Sequence, residues 1–346
     1  MPAIRKGVRS ILKRDGRDGT ATYVGEIDRE WCISEVPNGG YSLSIIANAV
    51  QSFMRLPSNS KGKHFDPLHI SANYFVPVSH HQPYTVEIKL LKQGRGVTNV
   101  LAELSQTHKV KEEPQVRITA QVIMTSFEAR QSDRSLGPTI PKDHEFFTKC
   151  PLSSPSECKA SNVWSNERFA FRHRLQVLVD KRLIEESRSR RTLDWGCWFN
   201  LLGEEDEGDQ ADEGQLSMGN NVISFFADMM VNPVSNIPKE LSFGPAWYPT
   251  LQLSIEFKRA LPYEKTLTRA GCFSTGKYII RGQHEIDTEI WSHPDDSDLL
   301  NQGQEIKVQG PQILCVSRQL ALTVPLKENR STKVSPGESS SSSSKL

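Results

Sequence analysis

Apolar residues recur at spacings of three and four between residues 41 and 54. Leu43, Ile46, Ala47, Val50 and Phe53 fall on one face, and the spacing predicts a helix. Pro37-Asn38-Gly39-Gly40 just before it reads as a turn. The period then changes. Residues 68–76, 84–92, 97–108 and 116–127 are rich in Val, Ile, Thr, Tyr and Phe, and predict four strands. Gly94-Arg95-Gly96 breaks two of them. Residues 19–32 predict a strand and turn ahead of the helix. One helix and four long strands make an α+β unit, with the helix free to pack on an antiparallel sheet.

The same order returns further on. Residues 129–166 carry Pro138, Pro141, Pro151 and Pro155 among many polar residues and predict a linker. Residues 170–179 and 192–202 then predict strands, 220–231 a helix, and 248–261, 266–274, 278–292 and 312–324 further strands. Two segments interrupt the pattern: an acidic loop at 204–213 and a polar insertion at 294–310. The expected division is an N-terminal extension (1–18), a first unit (19–128), the linker (129–166), a second unit (167–326) and a tail (327–346).

The residues themselves repeat. GGYSLSIIANAV, from Gly39 to Val50, lines up with GNNVISFFADMM, from Gly219 to Met230. Leu68 to Tyr74 lines up with Leu251 to Phe257, and Ile118 to Thr125 with Val316 to Thr323, which sets Gln121 beside Gln319. The matches keep chain order, and the offset grows along the chain as insertions in the second copy require. Duplication explains this better than the generic likeness of amphipathic elements.

Composition adds bounds. Lys plus Arg is 42 against 41 for Asp plus Glu, so no basic surplus marks a nucleic-acid-coating protein. No run of 18 apolar residues exists, so no membrane span is expected. The six cysteines lack C-x-x-C spacing, which argues against a disulfide framework or a zinc motif and for reduced thiols.

Comparison of the two copies points to chemistry. Asp228 stands where the first copy has Asn48, and Thr250 where it has Pro67. With Gln319, only the second copy holds an acid, a hydroxyl and an amide together. An Asp can take a proton from water, while Thr and Gln can orient that water and the developing charge. From spacing alone the alternative stays open: Asp228 as a structural residue, Thr250 as a strand start and Gln319 facing solvent.

At this point the chain resembles the double hotdog acyl-CoA thioesterases, the TesB-like group with many fungal members. The first-copy marks are Trp31, Pro37-Asn38-Gly39-Gly40-Tyr41 and Phe75-Val76-Pro77. The second-copy marks are Phe226-Ala227-Asp228, Trp247-Tyr248-Pro249-Thr250-Leu251 and Val316-Ser317-Arg318-Gln319. The resemblance covers roughly residues 25–324. It implies two tandem repeats of a central helix wrapped by an antiparallel sheet. It implies acyl-CoA as substrate, no cofactor and no metal, with Asp228, Thr250 and Gln319 activating the hydrolytic water. A homo-oligomer is compatible with it. The acidic loop before Asp228 and the insertion at 294–310 depart from the pattern and bear on substrate fit.

Gly39, Gly40, Arg95, Lys258 and Arg259 are secondary candidates for substrate contact, the basic ones for CoA phosphates; solvated strand ends are the competing reading. Gly40-Tyr41-Ser42-Leu43-Ser44 lacks the final glycine and the strand context of a nucleophile elbow. Gly94-Arg95-Gly96 lacks the third glycine of a dinucleotide site. His80-His81 reads as an exposed turn rather than a metal site. Two rivals remain beside hydrolysis: an acyl transferase or product-releasing enzyme of a metabolite pathway, and a non-catalytic acyl-CoA-binding protein. The serine run 339–344 predicts a disordered tail. It ends in Ser344-Lys345-Leu346, the address read by the peroxisomal import receptor, so the peroxisomal matrix is the expected location.

Overall fold

The computed structural model describes residues 4, 7–16, 18–108, 110–132, 149–190, 192–202, 220–237, 244–260, 267, 269–300 and 310–326. The acidic loop at 204–213 and the tail, including Ser344, Lys345 and Leu346, lie outside the described residues, as does most of the insertion at 294–310.

The predicted first helix is α1 (Gly39–Met54). Asn38 caps it: the side-chain oxygen accepts from the Tyr41 amide, which supplies one of the unpaired donors of a helix start. Its apolar face packs on a sheet built from β1 (Ile11–Gly16), β2 (Thr20–Gly25), β3 (Asp66–Tyr74), β4 (Tyr84–Gln93), β5 (Thr98–Thr107) and β6 (Pro114–Thr125). Further along come β7 (Lys159–Ser161), β8 (Leu175–Val179), helix α2 (Lys181–Arg190), β9 (Trp195–Leu201) and helix α3 (Asn220–Ala227). β10 (Thr250–Phe257), β11 (Arg269–Thr275), β12 (Gln283–Ser292) and β13 (Ile313–Leu322) complete the main sheet.

The sheet is antiparallel throughout. Its order is β1-β2-β4-β5-β6-β3-β10-β13-β12-β11-β9-β8-β7, with Ile279–Ile280 paired to β12. The middle of that order reads the same from either end: β2-β4-β5-β6-β3 meets β10-β13-β12-β11-β9 at the β3–β10 junction. Each half therefore runs strand, helix, four strands. At the junction Ser71 pairs with Ser254, Ile70 with Ile255 and Ala72 with Leu253. Rotation about the Ser71–Ser254 pair carries Ile70 onto Leu253. The residues match by position as well as by sequence.

Both halves also break their ladder at the same place. β3 shifts register against β6 between Pro67 and His69, and β10 against β13 between Thr250 and Gln252. A bulge inserts one residue and re-aims its neighbour. Leu251 takes up the extra position, so Thr250 lies opposite the buried Ala321 on the helix side of the sheet.

Three sequence expectations change. The N-terminal segment is no loose extension: Ile4 and Val8 are fully buried, and Tyr41 donates to the Gly7 carbonyl at 2.6 Å. Its signal is short and flanked by basic residues, which hides it. The linker contains structure, including β7, and the mostly charged sequence of α2 carries no apolar period that predicts a helix. α3 ends at Ala227, four residues earlier than its pattern suggested. Pro233 disfavours helical geometry at Asn232, and the Asn232 side chain instead caps the following turn at Val234.

α1 and α3 pack against one another, and Gly40 makes that possible. A Cβ on Gly40 would sit 2.2 Å from the Ser224 carbonyl oxygen and 3.0 Å from the Phe225 Cα. Around this contact Trp31, Phe171, Phe225 and Phe226 form an edge-on aromatic cluster. Among the described residues, no helix is long and apolar enough to cross a membrane.

Candidate active site

Three elements of the second half converge just beyond the end of α3. Asp228 follows the last residue of that helix. Thr250 opens β10, turned inward by the bulge. Gln319 lies on β13 with its side chain on the same face, 4% exposed. The Gln319 Nε2 donates to Asp228 Oδ1 and to Thr250 Oγ1, each at 2.6 Å. One amide nitrogen, with two hydrogens, thus joins the acid and the hydroxyl.

The first half supplies the other wall. The Gly40 amide, in the first turn of α1, donates to Asp228 Oδ2 at 2.8 Å. Tyr74, at the end of β3, donates its phenolic hydrogen to the Gly39 carbonyl at 2.9 Å. Asn38 reaches across to the Met229 sulfur at 3.8 Å. The carboxylate therefore faces the positive end of a 16-residue helix.

Two influences compete for its proton. Burial raises the Asp228 carboxyl from its usual range to about 6, against the Gly40 amide, the Gln319 carboxamide and the Gly39 amide, which favour the anion. An acid poised near 6 is largely ionised at neutral pH and basic enough to accept a proton. The Tyr74 phenol is raised well above its ordinary range by burial and by the Asp228 charge, so it stays protonated and serves as a donor.

Asp228, Thr250 and Gln319 are brought together, with Gly39 and Gly40 against them. Arg95, Lys258 and Arg259 are not. Lys258 lies past the far end of β10, roughly 25 Å of strand from Thr250, and pairs with Glu256 at 2.7 Å. Arg259 is held internally by Gln312 and by the Leu300 carbonyl. Burial lowers its guanidinium to about 10. Arg95 sits in the turn between β4 and β5, three strands from β10, and its carbonyl is engaged by His64 at 3.0 Å.

The match of Gln121 with Gln319 also slips by one. Gln319 pairs with Leu253, and the place of Leu253 in the first half is Ile70, which pairs with Val122. A one-residue shift changes the face of the sheet: Gln121 is exposed while Gln319 is buried. The first half thus lacks all three groups.

Asn38 and Tyr74 escaped the sequence reading. Asn38 had a signal, since Asn before an apolar helical run is an N-cap pattern, but its turn context dominated. Tyr74 had none, because its role depends on a neighbour 35 positions away. A cavity of about 280 Å³ opens elsewhere, among sheet positions including His69, Ser254, Glu256, Asp287 and Arg318. Asp228, Thr250 and Gln319 do not line it.

Comparison with known proteins bears on the fold and the family. Residues 27–125 match the family model of the acyl-CoA thioesterase N-terminal domain. The chain as a whole is similar in structure to a candidate thioesterase II of Thermobifida fusca YX, with 17% identity, 94% of this chain and 98% of that one covered, and a TM-score of 0.62. It is similar to a conserved protein of unknown function with hotdog fold from Alicyclobacillus acidocaldarius, at 14% identity, 94% and 99% coverage, and TM-score 0.60. It is also similar to an acyl-CoA thioesterase II, TesB2, from Mycobacterium marinum, at 10% identity, 93% and 99% coverage, and TM-score 0.59. No curated protein sequence matches the chain. The fold is a hotdog fold, a large antiparallel sheet around few helices.

Proposed function

We propose that the protein is an acyl-CoA thioesterase, that its two halves are tandem hotdog units, and that the second unit holds its active site. The observation that carries this reading is the Gln319 amide joining Asp228 and Thr250 at 2.6 Å, beside a carboxyl poised at about 6. The acyl-CoA thioesterase match over residues 27–125 supports the substrate class.

In this mechanism the Asp228 carboxylate takes a proton from a water as the water oxygen bonds to the thioester carbonyl carbon. Thr250 accepts its hydrogen bond from Gln319, so its own hydrogen is left to donate to the water or to the developing oxyanion. The carbon–sulfur bond then breaks, and the departing thiolate recovers the proton from Asp228. The products are the free acid and CoA. A thiol nucleophile is disfavoured at Cys32, Cys197, Cys272 and Cys315, all buried with thiols raised by that burial.

A hydrolysis screen over acyl-CoAs of graded chain length, read as free thiol released, tests the reading. Release that needs Asp228 supports it. Acyl-CoA binding without release points to a binding protein, and release that appears only with an added acceptor points to an acyl transferase. The proposed location is the peroxisomal matrix, supported by Ser344-Lys345-Leu346 alone.

A further inference from the structure

Glu35, His80 and His81 meet at the surface of the first half. Glu35 lies in the tight turn between Cys32–Ile33 and Val36–Pro37, which leads straight into the Asn38 cap of α1. The two histidines lie in the turn before β4. One ligand atom from each of the three residues falls within 4.8 Å of the others.

The hydrogen bonds fix the chemistry. His80 Nδ1 lies 3.1 Å from the Glu35 carbonyl oxygen. A carbonyl only accepts, so Nδ1 carries the hydrogen, and Nε2 is the ring atom left to meet a proton or a metal ion. That Nε2 faces Glu35 Oε2 at 3.6 Å. The His80 side chain is only 8% exposed, so it cannot simply turn away. His81 Nε2 lies 2.8 Å from the same oxygen, and the two ring centroids are 3.8 Å apart with the planes tilted by 40°. A proton or a metal ion between Nε2 and the carboxylate satisfies both groups. An imidazole whose second nitrogen is held by a backbone carbonyl is the usual arrangement of a metal-binding histidine.

We propose that Glu35, His80 and His81 form a site for a borderline divalent transition-metal ion, Zn²⁺ in the first instance. Two imidazoles and a carboxylate favour Zn²⁺, Co²⁺ or Ni²⁺ over Mg²⁺ or Ca²⁺, which take oxygen ligands. Ligand bonds of about 2.0–2.2 Å place neighbouring ligand atoms of a tetrahedral ion roughly 3.3–3.6 Å apart. The pairs here bracket that spacing, and His81, the exposed member, is free to adjust. Water fills the remaining position. His81 Nε2 gives up its hydrogen bond to Glu35, and its hydrogen moves to the solvent-facing Nδ1. The ion would clamp the turn that leads into α1 to the turn that leads into β4. The sequence hides the site because Glu35 is 45 positions from His80.

The test uses the full chain with any affinity tag removed, dialysed against chelator. Equilibrium dialysis with ZnCl₂ and titration with CoCl₂, followed by d–d absorbance, read stoichiometry and ligand type. The expected result is one ion per chain, with a Co²⁺ spectrum of nitrogen and oxygen ligation. Glu35→Gln and His81→Ala should each weaken binding by at least about 10-fold, while His108→Ala leaves it unchanged. Zn²⁺ should raise the melting temperature of the parent protein but not of His81→Ala. No binding by the parent protein, or binding that survives both Glu35→Gln and His81→Ala, overturns the proposal. All three residues are at the surface or in a turn, and circular dichroism verifies that each variant folds.

Discussion

Asn48 and Asp228 line up in the sequences of the two halves, and their side chains are bonded in opposite ways. Asn48 lies inside α1, which continues to Met54, and donates to the Val8 carbonyl at 3.1 Å. It holds down the N-terminal segment. Asp228 lies past the end of α3, where the chain has already left the helix. Its carboxylate accepts from Gly40 of the other half. In the first half the position serves packing; in the second it holds a carboxylate against the start of α1. On the proposed function, the first half supplies the rigid helix start and the second the reacting groups.

The sharpest way to break this contrast is Asp228→Asn, which copies the first half's choice. Turnover should fall by about 10² or more with the fold retained, the usual cost of losing a positioned base. Free-thiol release by a variant with an unchanged circular dichroism spectrum checks it, and near-parental rates would move the base elsewhere. Gly40→Ala should come next, acting on stability. The added methyl meets the Ser224 carbonyl at 2.2 Å, and overpacking of this kind costs typically 1–3 kcal/mol. Thermal melting reads it.

The acid itself gives a third measure. Because the Asp228 carboxyl is raised from 3.8 to about 6, the base form is present above pH 6 and lost below it. The rate at low substrate should rise through an inflection near pH 6. The same shift has the opposite sign for stability. The folded state holds this proton more tightly than the unfolded chain, so the group's contribution is full below about 4 and is lost as pH rises through 6. Asp228→Asn should flatten that part of the stability profile. Smallest of all, Asn48→Ala should leave turnover within about 2-fold and lower stability by roughly 1 kcal/mol, the worth of one hydrogen bond. A loss of turnover equal to that of Asp228→Asn, at unchanged melting temperature, would reassign the site to the first half.

Much of this was legible in the residues. The apolar period of α1 and the alternating strands gave both halves their elements, and the trio emerged from asking where the copies differ. What stayed hidden needed three dimensions. The bulge that turns Thr250 inward leaves no mark on composition. Gln121 looked like the partner of Gln319 because two glutamines in similar strands line up in sequence one residue away from their structural register. Lys258 and Arg259 looked like phosphate contacts because charge at a strand end is visible, whereas the direction of the strand is not. Tyr74 and the Gly40 amide matter only because α1 ends its approach against α3.

The Ser71–Ser254 junction also bears on how the chain comes together. His69 bonds Ser254 across 185 positions, so the central seam closes only after residue 254 of 346 has been made. Until then β3 is a bare edge with unpaired amides and carbonyls, a template for any strand that arrives. Since Ser71 already pairs with its own counterpart, a second nascent copy of the first half would fit that edge in the same register. Synthesis halted before residue 250 should therefore leave β3 uncovered, and pairing of two such fragments along it is the expected outcome, which size-exclusion chromatography checks.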